Sequence, residues 1–226
     1  MSSQNERFFT AAFDIDKVAK DCLVRPSPPR DAAIPNSERN GLPAVMITPL
    51  HGQYLAIQAR LMGARSVLEI GTLGGYSSLF FAEAGCKVTS VEINPKHRDV
   101  ALQNIAHAGH ADKVEVILGA ALDVLPRLVE EGRVFDFVFI DADWGEQYEC
   151  LDWALKMTRP KSCVYIDNVI RPMREQLNAG KDLGKDSLAA KVGKDERVTA
   201  TLIQTVSENK TGTGPLFDGF LLAIVN

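Results

Sequence analysis

The sequence predicts an α/β fold: a doubly wound, mostly parallel seven-stranded sheet whose last strand runs antiparallel to its neighbour. Three observations carry this. From Ser66 onward, short apolar runs alternate with stretches of helical length, the pattern of successive strand–helix–strand units with right-handed crossovers. Val67-Leu68-Glu69-Ile70 and Phe137-Val138-Phe139-Ile140 are near-continuous apolar runs, as strands covered on both faces require. The last two runs, about 199–206 and 217–225, are separated by a hairpin-scale loop too short for a crossover helix, so the final strand must turn back.

Taken in order, residues 5–22 place Phe8, Phe9, Ala12, Ile15, Ala19 and Cys22 at helical spacing, an amphipathic helix. Arg25-Pro26-Ser27-Pro28-Pro29-Arg30 follows, and residues 25–43 read as an irregular connector because proline interrupts helix and strand alike. A helix is expected after Pro49, through Tyr54, Leu55 and Ile57 to Leu61. Strands are expected at 66–70, 87–91, 114–118, 135–141 and 162–167, with helices at about 76–84, 95–108, 120–131 and 146–157. The charged stretch 172–197, broken by Gly180, Gly184 and Gly193, reads as a helix or two. All 226 residues fit one domain, with 1–43 as N-terminal helix and connector and 44–226 as core.

Composition narrows the function classes. Hydrophobic residues at 46% and charged residues at 24% are ordinary for a globular chain. A net charge of −4 argues against nucleic acid as a partner, which needs a basic surface. Arg171, Arg174, Lys181 and Lys185 form a modest basic stretch, read as a solvated helix face. Cys22, Cys86, Cys150 and Cys163 are scattered without a CxxC pair, so neither a disulfide framework nor a zinc motif is expected. The N-terminus lacks the apolar centre of a signal peptide, and no apolar run is long enough to span a bilayer. Asn209-Lys210-Thr211 matches a glycosylation sequon, coincidental without a secretion signal, and the chain is expected in the cytoplasm.

Two expected strands end in oxygen-bearing side chains: Phe139-Ile140-Asp141-Ala142-Asp143, and Tyr165-Ile166-Asp167-Asn168. In a parallel sheet the carboxyl ends of strands line the ligand crevice, so Asp141, Asp167 and Asn168 converge. An all-oxygen set suits Mg²⁺, Mn²⁺ or Ca²⁺ rather than zinc or copper. The bland reading is that both aspartates cap following helices, but it leaves the Asp-Asn pair unexplained.

Upstream, Leu68-Glu69-Ile70-Gly71-Thr72-Leu73-Gly74-Gly75-Tyr76 is a strand entering a glycine-rich turn. A dinucleotide enzyme wants a glycine where Leu73 stands. Glu69 is hard to place beside a pyrophosphate, yet it can accept from an ammonium group. S-adenosylmethionine has such a group and no phosphate. Glu92, ending the second strand, can bond ribose hydroxyls, or merely cap a helix. Gly119-Ala120-Ala121 is small enough to bed an adenine ring.

These segments, with Ile47-Thr48-Pro49-Leu50-His51-Gly52-Gln53, make the chain from about residue 40 to 226 resemble the class I S-adenosylmethionine-dependent methyltransferases, with their Rossmann-like sheet. Within them it is similar to the metal-dependent catechol and caffeoyl-CoA O-methyltransferases. The resemblance implies that Glu69, Gly71, Thr72, Ser77, Glu92, Ala121, Asp141 and Asp143 line the cofactor pocket, with Ile47 in a segment approaching through its backbone. It implies Asp141, Asp167 and Asn168 as ligands of Mg²⁺ (or Mn²⁺ or Ca²⁺), and Arg171 and Pro172 near the acceptor. It also implies a homodimer, for which Phe8, Phe9 and Phe13 offer either an interface or a lid.

One departure stands out. Relatives usually carry a lysine just after the Asp-Ala-Asp triplet, placed to take the phenol proton. Here Trp144 stands there, and the next lysine is Lys156. The role falls to metal-bound hydroxide, to His51 or Glu146, to water, or to nothing, and Trp144 becomes an aromatic wall or loop packing. His97, His107 and His110 are expected to face solvent. The leading expectation is methyl transfer to a hydroxyl of a small aromatic vicinal diol, with Asp141, Trp144 and His51 at the reacting centre. Transfer to a carboxylate or single hydroxyl, a catalytically silent cofactor binder, and a nicotinamide dehydrogenase are the alternatives.

Overall fold

The computed structural model describes the backbone of residues 3–208 and 215–226, and the side chains of 10–207 and 216–226. The expectations for the Phe8 and Phe9 side chains and for the sequon lie outside the described residues. Among the described residues four helices precede the sheet: α1 (Ser3–Leu23), α2 (Pro28–Asp31), α3 (Ala33–Arg39) and α4 (Pro49–Leu61). Then β1 (Ser66–Ile70), α5 (Tyr76–Glu83), β2 (Lys87–Glu92), α6 (Pro95–His107), β3 (Val114–Leu118), α7 (Ala121–Glu130), β4 (Phe137–Ile140), α8 (Gln147–Leu155) and β5 (Cys163–Ile166) alternate. After α9 (Ile170–Asn178), α10 (Leu183–Asp186) and α11 (Leu188–Val192), β6 (Val198–Glu208) and β7 (Pro215–Val225) complete the sheet.

The strand order is β3-β2-β1-β4-β5-β7-β6. β1 pairs in parallel with β2 on one side and β4 on the other, with Ile70 opposite both Val91 and Ile140. β7 lies antiparallel between β5 and β6, as the short final loop requires. The order reverses between β1 and β4, the switch point at which ligands bind in open α/β sheets.

Period-two alternation sorts the strand side chains onto two cores. Leu68, Ile70, Val138, Ile140, Val164 and Ile166 pack with buried residues of α7 and α8. Val67, Phe137, Phe139 and Tyr165 face the opposite layer, with Leu55 of α4 and Leu79 of α5. Both faces are covered, which is why these strands read as unbroken apolar runs. Among the described residues no helix is long and apolar enough to cross a membrane.

Residues 25–43 are not the irregular connector the prolines suggest, because α2 and α3 lie within them. Pro28 occupies the start of α2, where its missing N–H has no intrahelical partner to lose. Arg30, 3% exposed, fastens the segment. Its guanidinium donates to Glu83 at 2.6 Å and to the Arg25 carbonyl at 2.9 Å, and lies 4.1 Å over the Phe80 ring. A partly buried ion pair with an aromatic floor thus orders a stretch that propensity alone reads as loop.

Candidate active site

The carboxyl ends of the parallel strands open into a cavity of about 1070 Å³. Backbone ladders continue one residue past the strands and fix its floor. Gly71 N–H donates to the Val91 carbonyl, Asp141 N–H to Ile70, and Asp167 N–H to Ile140, at 2.8–3.0 Å. Asp141, Asp167 and Asn168 therefore reach one cavity from adjacent strand ends.

The glycine turn is held from below by Glu92. One carboxylate oxygen accepts from Thr72 N–H at 3.1 Å and Leu73 N–H at 2.8 Å, the other from Asn94 N–H at 2.8 Å. Leu73 adopts φ +51°, a left-handed conformation that L side chains disfavour and that these two bonds help to stabilise. Gly71 is a glycine for a sharper reason. Its φ is +97°, and a Cβ there would lie 2.1 Å from the Asp141 carbonyl oxygen. The glycine turn and the candidate metal loop are thus packed backbone to backbone, with no room for a side chain.

Glu69 departs from expectation. It is fully buried and is not among the cavity-lining residues. It sits one layer down on the α5 side of β1, bonded by the hydroxyls of Ser77 (2.5 Å), Ser90 (2.6 Å) and Ser78. Burial pushes its carboxyl up to about 7, against the three hydroxyl bonds that pull it down. Ser77 and Thr72 of this network do line the cavity, as do Ile47, Gly71, Glu92, Ala121 and Asp143.

Asn168 sits at φ +56°, which asparagine tolerates better than most residues. Its side-chain amide donates to Asp218 at 2.9 Å. With the nitrogen so engaged, its carbonyl oxygen is left for the cavity. Asp218, 5% exposed, also accepts from the backbone N–H of Arg171 (3.3 Å) and Gly219 (2.9 Å). Gln147, 1% exposed, donates to the Asp167 carbonyl at 2.7 Å and ties α8 to the same loop. Among the described residues no three His, Cys, Asp or Glu side chains cluster as a metal site. The candidate set instead holds two carboxylates and one amide oxygen, a hard-oxygen donor set that fits Mg²⁺ and its like.

One wall is aromatic. His51, Tyr54, Tyr165 and Phe220 line it, with Tyr165 and Phe220 stacked at 4.4 Å and His51 stacked on Phe220 at 6.2 Å. His51 Nε2 lies 2.5 Å from the Tyr165 hydroxyl, whose proton is held tightly because burial raises its pKa far above the usual range. Trp144 lines the cavity too, with the Arg171 guanidinium 4.7 Å over its ring. Arg171 is the one Lys or Arg lining the cavity among the described residues. Lys156 instead pairs with Asp152 at 3.2 Å and lies over Trp153.

Sequence reasoning missed several neighbours. His97, expected in solvent, is partly buried and lines the cavity, its Nδ1 3.6 Å from Glu92. Asp16 of α1 lines it as well, and burial raises its carboxyl above the ordinary value. Asp218 had a readable signal, being a lone charge in the apolar strand Leu216-Phe217-Asp218-Gly219-Phe220.

The O-methyltransferase family model matches residues 34–208. The chain is 36% identical over 232 residues to the O-methyltransferase imqG of Aspergillus flavus, covering 94% of this chain and 90% of that protein. It is 37% identical over 218 residues to a catechol O-methyltransferase of Mycobacterium tuberculosis, covering 94% and 95%. The O-methyltransferase of Bacillus cereus, solved in complex with SAH, superposes with a TM-score of 0.87 at 34% identity over 96% of this chain and 100% of that one. A glycine turn beneath the switch point, an acidic second-strand terminus and this extent of similarity mean that the chain belongs to the O-methyltransferase family.

Proposed function

We propose that the protein transfers the methyl group of S-adenosylmethionine to one hydroxyl of a small aromatic vicinal diol, with a divalent cation, Mg²⁺ or in its place Mn²⁺ or Ca²⁺, held by Asp141, Asp167 and Asn168. The observation that carries the reading is that these three oxygen-bearing residues line the same cavity as the glycine turn and Glu92. A catechol O-methyltransferase among the relatives and a SAH-bound structural neighbour support it. The cavity exceeds the ~300–1,000 Å³ of an ordinary ligand pocket, leaving room for cofactor and acceptor together.

When bound, the cation would supply Lewis-acid stabilisation of a phenolate, since a free phenol titrates near 10. The chain's own residues then account for the rest. Glu92 receives the ribose hydroxyls, and Gly119-Ala120-Ala121 beds the adenine. Gly71, Thr72, Ser77 and Asp143, with the Ile47 segment above, surround the amino-acid end. His51, Tyr54, Tyr165 and Phe220 hold the acceptor ring against one wall, and Trp144 under Arg171 forms another. Such positioning supplies most of the remaining catalysis. No lysine lines the cavity among the described residues, so the phenol proton passes to His51, Glu146 or water.

The direct test is methyl transfer from labelled S-adenosylmethionine to catechols, caffeoyl derivatives and single-hydroxyl phenols, with Mg²⁺ or EDTA. Turnover confined to vicinal diols and abolished by EDTA is expected. EDTA-insensitive turnover would remove the metal from the reading. The proposal includes a cytoplasmic homodimer. Ile15 (67% exposed) and Val18 (61%) on α1, with Ile57 (47%) and Leu61 (77%) on the neighbouring α4, present apolar surface suited to a second copy. Light scattering on Val18→Glu should report a monomer; an unchanged mass would exclude this face.

A further inference from the structure

Glu69 is a buried acid that the proposed chemistry does not touch. Its place in the hydrogen-bond network nonetheless gives it a defined task. An ionised carboxylate only accepts, so each hydroxyl bonded to it must donate. Ser77 donates to one oxygen at 2.5 Å; Ser90 donates to the other at 2.6 Å, beside Ser78. Ser90 has then spent its single proton. Its contact with the Thr72 hydroxyl, at 2.6 Å, can be made only with Thr72 as donor. The chain of donation runs from Thr72 through Ser90 to Glu69, and from Ser77 to Glu69 directly. Thr72 and Ser77 line the cavity; Glu69 and Ser90 do not. Both cavity-lining hydroxyls have their protons directed inward, leaving only lone pairs for a ligand.

We infer that Glu69 is a positioning residue that sets the proton direction of Thr72 and Ser77, so that this end of the cavity accepts hydrogen bonds and selects a cationic amine. The inference rests on the cofactor reading above and deepens it: the α-ammonium of the cofactor is recognised through two oriented hydroxyls rather than by the acid itself. An amide in place of the carboxylate would carry N–H donors of its own and force at least one hydroxyl in the network to reverse. Ser90→Ala breaks only the Thr72 arm, at a fully buried position that does not line the cavity.

The test compares two ligands by calorimetry at about pH 8, above the value of about 7 to which burial raises the Glu69 carboxyl: S-adenosylhomocysteine, and its deamino analogue with hydrogen in place of the α-amino group. The expected result for Glu69→Gln is a loss of about ten- to a hundred-fold for S-adenosylhomocysteine, as for bonds to a charged group, and under about threefold for the analogue. Ser90→Ala should show a smaller loss with the same selectivity, and decides the question if Glu69→Gln does not fold. Equal losses for both ligands would mean that Glu69 and Ser90 only support the turn, and would overturn the inference, as would unchanged affinities. Wild-type protein that binds neither ligand would overturn the cofactor reading, and this role with it.

Discussion

Replacing Asp218 tests the candidate metal loop without touching a ligand. Asp218 lies on β7, 5% exposed, and takes the Asn168 amide at 2.9 Å, the Gly219 N–H at 2.9 Å and the Arg171 N–H at 3.3 Å. The Arg171 N–H belongs to the first turn of α9, whose N-cap Val169 supplies no side-chain acceptor, so Asp218 caps this helix from another strand. Asp218→Ala removes both carboxylate oxygens and the three hydrogen bonds they accept, leaves buried donors unmet, and is expected to cost about 3–5 kcal/mol, the range for breaking a buried charged network. Asp218→Asn is the sharper perturbation. It keeps the volume, yet its own amide N–H₂ must face a donor on at least one side. The Asn168 amide is then free to turn, presenting nitrogen instead of oxygen to the cavity. A stability loss of ~1–2 kcal/mol is expected, one charge-assisted bond weakened. The loss of Mn²⁺ affinity should be about ten- to a hundred-fold, or ~1.4–2.8 kcal/mol, as for outer-shell partners of other metal sites. Urea titration gives the first number and calorimetry with Mn²⁺ the second. Folded Asp218→Asn protein whose Mn²⁺ affinity stays within twofold of wild type would refute the orientation of Asn168 by Asp218.

Three further outcomes are expected. Asp141→Ala should abolish metal-dependent turnover while circular dichroism stays native, because Asp141 is only partly buried; near-normal turnover would remove it from the site. Glu92→Ala should weaken S-adenosylhomocysteine by about ten- to a hundred-fold, since lost bonds to a charged group cost ~1.5–3 kcal/mol and the turn at Thr72 and Leu73 loses its support as well. An unchanged dissociation constant excludes Glu92. Stability should also depend on pH through Glu69. Burial raises its carboxyl from 4.5 to about 7, so between these values the folded state holds the proton more tightly than the unfolded chain. Stability contributed by the neutral form is complete below about 4.5, falls as pH rises through about 7, and is level above, a change of up to about 3 kcal/mol. Urea midpoints of wild type and Glu69→Gln between pH 5 and 8 should therefore diverge; parallel curves would show that Glu69 titrates normally.

Much of the fold was legible because it depends on local periodicity. β1, expected at 66–70 from its apolar run, is found at Ser66–Ile70, and each expected helix between the strands appears within a residue or two of its place. The antiparallel last strand followed from loop length alone. The prolines of 25–30 misled, because the ordering force there is long-range, the Arg30–Glu83 pair across 53 residues. In the candidate site, position along the chain sufficed for groups at strand ends: Asp141, Asp167, Asn168 and Glu92 reach the cavity because a parallel sheet puts every carboxyl end on one edge.

What tertiary structure decided is which face and which layer. Glu69 shares a strand with the turn it was expected to serve, but strand alternation turns its side chain toward α5 and its serines, away from the cavity. Asp218 and Asn168 are 50 residues apart and meet only because β7 inserts beside β5. His97 comes within 3.6 Å of Glu92 where α6 follows β2. The sequence alone determined the order of elements and the chemistry at their ends, because both are properties of neighbouring residues. The partners of buried polar groups were settled by packing, because a side chain sealed from water must bond to whatever the fold brings within about 3 Å.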